Sequence, residues 1–91
     1  MSVAEAIRQR LAALEPQALD LADESELHRG HAGYLAGGGT HWRLSIVSAR
    51  FSGQSTVERH RMIYRALGSL MQHPIHALAI TARSPQEMKG T

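Results

Sequence analysis

Trp42-Arg-Leu-Ser-Ile-Val-Ser48 alternates apolar and polar residues, and Ser55-Thr-Val-Glu58 then opens a stretch, running to Met71, whose apolar residues recur at helical spacing. After Pro74 the chain returns to a β-capable run, Ile75-His-Ala-Leu-Ala-Ile-Thr81. Strand, helix and strand in that order allow a right-handed parallel crossover, and this unit decides the fold. In the first run Trp42, Leu44 and Ile46 share one face. In the helix, Val57, Ile63, Tyr64, Leu67, Leu70 and Met71 form one apolar arc with His60 inside it, read as a buried, hydrogen-bonded core histidine. Glu58, Arg61 and Arg65 fall on the solvated side, where the Glu58–Arg61 pair contributes about 0.3 kcal/mol. In the last run His76, Leu78 and Ile80 share one face, with alanines on the other; the preceding Pro74 is tolerated at a strand start.

Outward from that unit, Arg50-Phe-Ser-Gly53 reads as a short turn feeding the Ser55 cap, so residues 49–71 describe a local helix-turn-helix. Upstream, Ala18-Leu-Asp-Leu-Ala22 alternates weakly and should pair antiparallel with the Trp42 strand. Ser2-Val-Ala-Glu5, Ser55-Thr-Val-Glu58 and Ser84-Pro-Gln-Glu87 are three capping boxes, in which hydroxyl and carboxylate satisfy orphan backbone N–H groups. The first opens a helix from about Val3 to Leu14, with Val3, Ile7, Leu11 and Leu14 on one face and Pro16 ending it. The order α-β-β-α-β-α implies an α+β fold: a three-stranded mixed sheet with helices on one face. The 91 residues form one domain with its core over about 3–83 and a short C-terminal helix or tail at 84–91.

Composition narrows the chemistry. The chain carries six histidines and no cysteine, which removes a disulfide framework and any thiolate metal site. No apolar run approaches the roughly 20 residues needed to span a bilayer, the N-terminus lacks an apolar signal segment, and a cytoplasmic location is expected. The formal charge is only +2, but acids crowd residues 15–26 while Arg59, Arg61 and Arg65 cluster later. Such a dipolar surface suits a protein partner as well as nucleic acid. There is no Ser/His/Asp arrangement, no paired-carboxylate constellation and no H-E-x-x-H motif, and the domain offers little concave volume, so catalysis is not expected.

The stretch Ser25–Thr40 contains five glycines and the histidines His28 and His31, with His41 just beyond. It is long for a link between paired strands, and a long histidine-bearing link in a small domain points to function. Gly37-Gly-Gly39 lacks P-loop spacing and no helix follows, so it is not a phosphate cradle. His28 and His31 read either as solvated polar residues or as chelators. His41 reads as a strand-edge histidine bonded to a nearby carbonyl, and His73 as a helix-end residue near the C-terminal dipole. His76 stands where the last strand meets solvent, open to either a ligand or a structural role; neutral imidazole is the commonest biological metal ligand.

Together these segments resemble the BolA family, from about Ala6 to Pro85. The likeness is carried by Asp23-Glu-Ser25, His28-Arg-Gly-His31, Gly39-Thr-His41-Trp42, Ile46-Val-Ser48, Phe51-Ser-Gly53, Arg59-His-Arg61 and His76-Ala-Leu78. Trp42 stands where the family more often has Phe, and Thr40 where Ser is usual. The resemblance implies an α-β-β-α-β fold similar to a class II KH domain with a helix-turn-helix. It also implies association with a monothiol glutaredoxin. In such a pair a [2Fe–2S] cluster is held by the glutaredoxin cysteine and glutathione on one side and by histidines on the other. Here those would be His76 with His28 or His31. Alone, the chain would carry no cofactor and would be a monomer or weak homodimer. The expected function is therefore that of an adaptor in iron–sulfur cluster trafficking or iron and redox regulation. The alternative is a DNA-binding regulator of stress or morphology genes in which Arg59, Arg61 and Arg65 contact phosphates, although Gly53-Gln-Ser-Thr56 is not a G-x-x-G turn. No membrane association is expected.

Overall fold

A computed structural model describes residues 2–28 and 38–89, with Leu27, His28 and Lys89 as backbone only. Helix α1 (Val3–Leu11) is capped by Ser2, whose hydroxyl oxygen accepts the Glu5 N–H at 3.1 Å. It ends one turn earlier than its apolar spacing implies: Ala12–Leu14 tighten into a 3-10 turn, and Glu15 takes a left-handed φ of 51° before Pro16. Strand β1 (Ala18–Asp23) runs antiparallel to β2 (His41–Val47), and β2 runs parallel to β3 (Ala77–Arg83), giving sheet order β1-β2-β3. Both pairings follow the sequence expectation. A 3-10 turn at Ala49–Phe51 precedes helix α2 (Thr56–Leu67), capped by Ser55, and α3 (Pro85–Lys89) closes the described chain.

The helices pack on one face of the sheet. Ile7, Leu11 and Leu14 from the first helical segment, Trp42, Leu44 and Ile46 from β2, and Phe51, Ile63, Leu67 and Ile75 form the buried core. Each such apolar side chain contributes about 1.5–3 kcal/mol on burial. On the same face of the two outer strands, Leu19, Leu21, Leu78, Ile80 and Ala82 pack partly buried against that core. The opposite face presents Ala18, Asp20, Ala22, Arg43, Ala77, Ala79, Thr81 and Arg83 to solvent.

Several sequence readings need correction. The apolar arc of α2 is narrower than its wheel suggests. Arg59, Ile63 and Leu67 are buried, while Val57 and Tyr64 are 58% and 41% exposed, because the sheet meets the helix along the 59/63/67 line. His60 is half-buried, not a core residue, and meets Tyr64 edge-on with ring centroids 6.4 Å apart. Strand β3 starts two residues later than the run from Ile75. The Ile75 N–H bonds to Leu70 O at 3.0 Å, sending that side chain into the core. Only at Ala77 does pairing with His41 begin.

Candidate metal-ligand site

The end of the sheet at which β2 and β3 begin gathers the polar residues that matter. His76 precedes β3 and is exposed. Its N–H and that of Ala77 both donate to Thr40 O, at 2.7 and 3.1 Å. Thr40 is where the Ser25–Thr40 connection rejoins the sheet. The ring of His41, the next residue, lies with its centroid 5.3 Å from that of His76, the planes tilted by 50°. The parallel register brings them together, since His41 is the partner of Ala77. His41 is buried, and its Nδ1 lies 2.9 Å from Thr40 Oγ1.

A polar network continues from that hydroxyl to the other root of the connection. Ser25 Oγ donates to Asp23 Oδ1 at 2.6 Å and accepts the Thr40 and His41 N–H groups at 3.0 and 3.2 Å. Asp23 Oδ1 also accepts the Ser25 N–H, and Oδ2 accepts the Gly39 N–H, both at 3.0 Å. Gly38 has φ +84°, and a Cβ there would stand 2.7 Å from Asp23 Oδ2, so the carboxylate needs glycine beside it. Trp42 Nε1 closes the same corner on Gly39 O at 2.9 Å. Desolvation pushes the Asp23 carboxyl upward. The Ser25 hydroxyl, the N–H groups of Ser25 and Gly39, and the His41 charge outweigh it, so its pKa lies below the ordinary 3.8. This stitching holds both ends of the connection on one corner of the sheet, beside His76.

His28 ends a 3-10 turn (Ser25–His28), which places its backbone in the same connection; its side chain, and all of His31, lie outside the described residues. Among the described residues no three metal-capable side chains converge. An all-imidazole, cysteine-free donor set with one exposed ring fits a chain that lends ligands to a metal group carried largely by something else. Sequence reasoning left His41 as a strand-edge histidine. Its position against His76 becomes visible only once the parallel register is known. The Asp23–Ser25 turn had a readable signal, because Asp and Ser side chains two apart favour local side-chain-to-backbone bonding.

The arginines expected on phosphates are otherwise engaged. Arg59 is buried. Its Nε donates to Gln54 O at 2.9 Å, and its Nη1 to Ala82 O at 3.0 Å and to Glu87 at 2.5 Å, so it is not an exposed cation. Its angle on the wheel, in line with Ile63 and Leu67, was the available clue. Arg61 and Arg65 are exposed and both reach Glu58, at 3.1 and 3.4 Å.

Comparison with known proteins agrees with this architecture. Residues 11–87 match the family model described as "BolA: BolA-like protein". The chain is 45% identical over 85 residues to mouse BolA-like protein 1, covering 92% of this chain but 59% of that protein, so it spans little more than half of that relative. It is 36% identical to the DNA-binding transcriptional regulator BolA of Escherichia coli strain K12, covering 99% of this chain and 83% of that one. The solved BolA domain of SufE1 from Arabidopsis thaliana superposes with a TM-score of 0.84 at 41% identity, covering 96% of each chain.

Proposed function

The chain belongs to the BolA-like family, and from that premise we propose that it is a cytoplasmic adaptor that pairs with a monothiol glutaredoxin and lends imidazole ligands to a shared [2Fe–2S] cluster. The observation that carries this reading is the placement of His76: exposed, beside the His41 ring, and anchored through Thr40 O to the root of the connection bearing His28 and His31. His76 and one of His28 or His31 would hold the cluster on this side, and the glutaredoxin cysteine with glutathione on the other. Imidazole in place of thiolate raises a cluster's reduction potential, which is what the group would supply here. A shallow groove of about 320 Å³ beside His76, lined by Thr40, Gln72, His73 and Ile75 among others, leaves room for a small thiol-bearing ligand at that ring. The test is to mix the purified chain with cluster-loaded glutaredoxin and glutathione and record visible circular dichroism and EPR. The expected result is a changed cluster spectrum that His76→Ala abolishes; an unchanged spectrum, or a His76→Ala variant that behaves as wild type, overturns the reading. His28→Ala and His31→Ala, taken singly, identify the second ligand.

A second reading is favoured by the name of the Escherichia coli relative, a DNA-binding transcriptional regulator. It would use a class II KH-like surface with the helix-turn-helix at 49–71. The burial of Arg59 weakens it, leaving Arg61 and Arg65 as the exposed cations of α2, both engaged with Glu58. Binding of this kind should fall steeply with salt and lose slope in Arg61→Ala/Arg65→Ala.

A further inference from the structure

We propose that the free edge of β3 is a self-association surface, on which a second copy of this chain adds its own β3 antiparallel about a two-fold axis at Ala79. This inference stands apart from metal binding and does not depend on it.

The backbone of β3 fixes which groups are on offer. Ala77 N–H donates to Thr40 O and Arg83 O accepts Ser48 N–H, so residues 77, 79, 81 and 83 direct their backbone groups toward β2. Strand geometry then turns those of 78, 80 and 82 to the outer side. The guanidinium of Arg59 sits on that outer side and takes Ala82 O at 3.0 Å. What remains among the described residues is a short row: the N–H and C=O of Leu78 and of Ile80, with the N–H of Ala82 beyond them. Unpaired strand edges of this kind template pairing with another chain.

That row is its own complement. In an antiparallel pair centred on Ala79, Leu78 faces the second copy's Ile80 and Ile80 faces the second copy's Leu78. Each pair exchanges N–H and C=O, which uses the four groups of Leu78 and Ile80 once each. Arg59, by occupying Ala82 O, disfavours the register centred on Ile80 and so selects this one. The side chains agree. Ala79 meets the second copy's Ala79 at the axis and Ala77 meets its Thr81, with no like charges opposed. Leu78 and Ile80, only partly covered in the single chain, gain an apolar neighbour. The outer strand at the other side of the sheet lacks this property. β1 carries Asp20 near its centre, and self-pairing centred there would set two carboxylates opposite each other. On β3 between Ala77 and Ala82 there is no lysine, proline or other charge to guard the edge.

The test uses the full chain in sedimentation velocity over a concentration series reaching about 1 mM. The expected result is a concentration-dependent dimer. Ala79→Lys, at an exposed position, places two ammonium groups across the axis and should weaken association at least about tenfold. Ala79→Glu should do the same alone, and an equimolar mixture of the two variants should restore association, which a folding defect in either would not permit. A chain that stays monomeric through the series, an Ala79→Lys variant that associates like wild type, or a mixture that fails to recover overturns the proposal. A monomer that pairs only with another protein's strand counts against the second copy as occupant.

Discussion

Two corners of this domain are tied down by side chains that grip backbone groups, and they are built to opposite ends. At the corner where β3 ends, Arg59 holds Gln54 O, Ala82 O and Glu87, and Glu87 in turn accepts Ser84 N–H at 2.7 Å. At the corner where β3 begins, Asp23, Ser25 and Thr40 hold the backbone of residues 39–41, yet the outermost imidazole, His76, is left exposed. The first corner turns a cation inward and uses it up. The second uses hydroxyls and the Asp23 carboxylate for positioning and keeps a ligand-capable ring facing out. A cation anchors the first corner, whereas the second is held by an ionised carboxylate, Asp23, working through hydroxyl and N–H donors.

Breaking the first corner should have the largest effect on stability. Arg59→Ala leaves two backbone carbonyls without their donor and should cost about 3 kcal/mol, read from urea unfolding. Breaking the second should cost less: Ser25→Ala removes the acceptor for two N–H groups and should destabilise by about 1–2 kcal/mol, while shifting the His41 and His76 ring signals in NMR. If the ring signals stay in place, the network is not what positions the imidazoles.

Acid should open the two corners in a definable way. The Glu87 carboxyl is held down from 4.5 to about 2, first by the hydrogen bond from Arg59 and then by Ser84 N–H. Its ionised form therefore favours the folded state. The stabilisation is complete above about pH 4.5 and is lost as pH falls through about 2. Asp23 shifts in the same direction from 3.8. Glu87→Gln should flatten part of the decline in unfolding midpoint across that acid window, and Asp23→Asn another part. A wild-type midpoint that does not fall toward low pH contradicts both assignments. The smallest changes are expected on the outside. His76→Ala should alter stability by less than about 0.5 kcal/mol, and Arg61→Ala by about 0.3 kcal/mol, since Glu58 keeps Arg65.

Much of this fold could be read along the chain because it is written locally. The caps at Ser2 and Ser55 lie where the hydroxyl-to-glutamate spacing puts them, and the antiparallel and parallel pairings follow from which element separates the strands. The Ser84 cap is half of the expected box: the Glu87 carboxylate reaches back to Ser84 N–H, but the hydroxyl donates to that carboxylate instead of accepting Glu87 N–H. What escaped depends on register and on which side of a helix meets the sheet. Arg59 has a polar head, so polarity placed it outside, although its long stem lies in line with Ile63 and Leu67 and its charge finds carbonyls at the rim of the core. His60 erred the other way, its ring resting on Tyr64 near the surface. His76 could be read as a surface ring at a strand start; its closeness to His41 could not, because only the Ala77–His41 pairing creates it.

The shared carbonyl of Thr40 has a mechanical meaning. One oxygen carries the tether of His76 and of the residue after it, and it belongs to the same short stretch that Ser25 and Asp23 clamp from the far end of the connection. A displacement of that carbonyl would therefore reach the backbone of His76 and Ala77 together. One carbonyl thus sets the position of two consecutive residues, so the seating of the exposed ring is only as steady as the Ser25 and Asp23 clamp behind it.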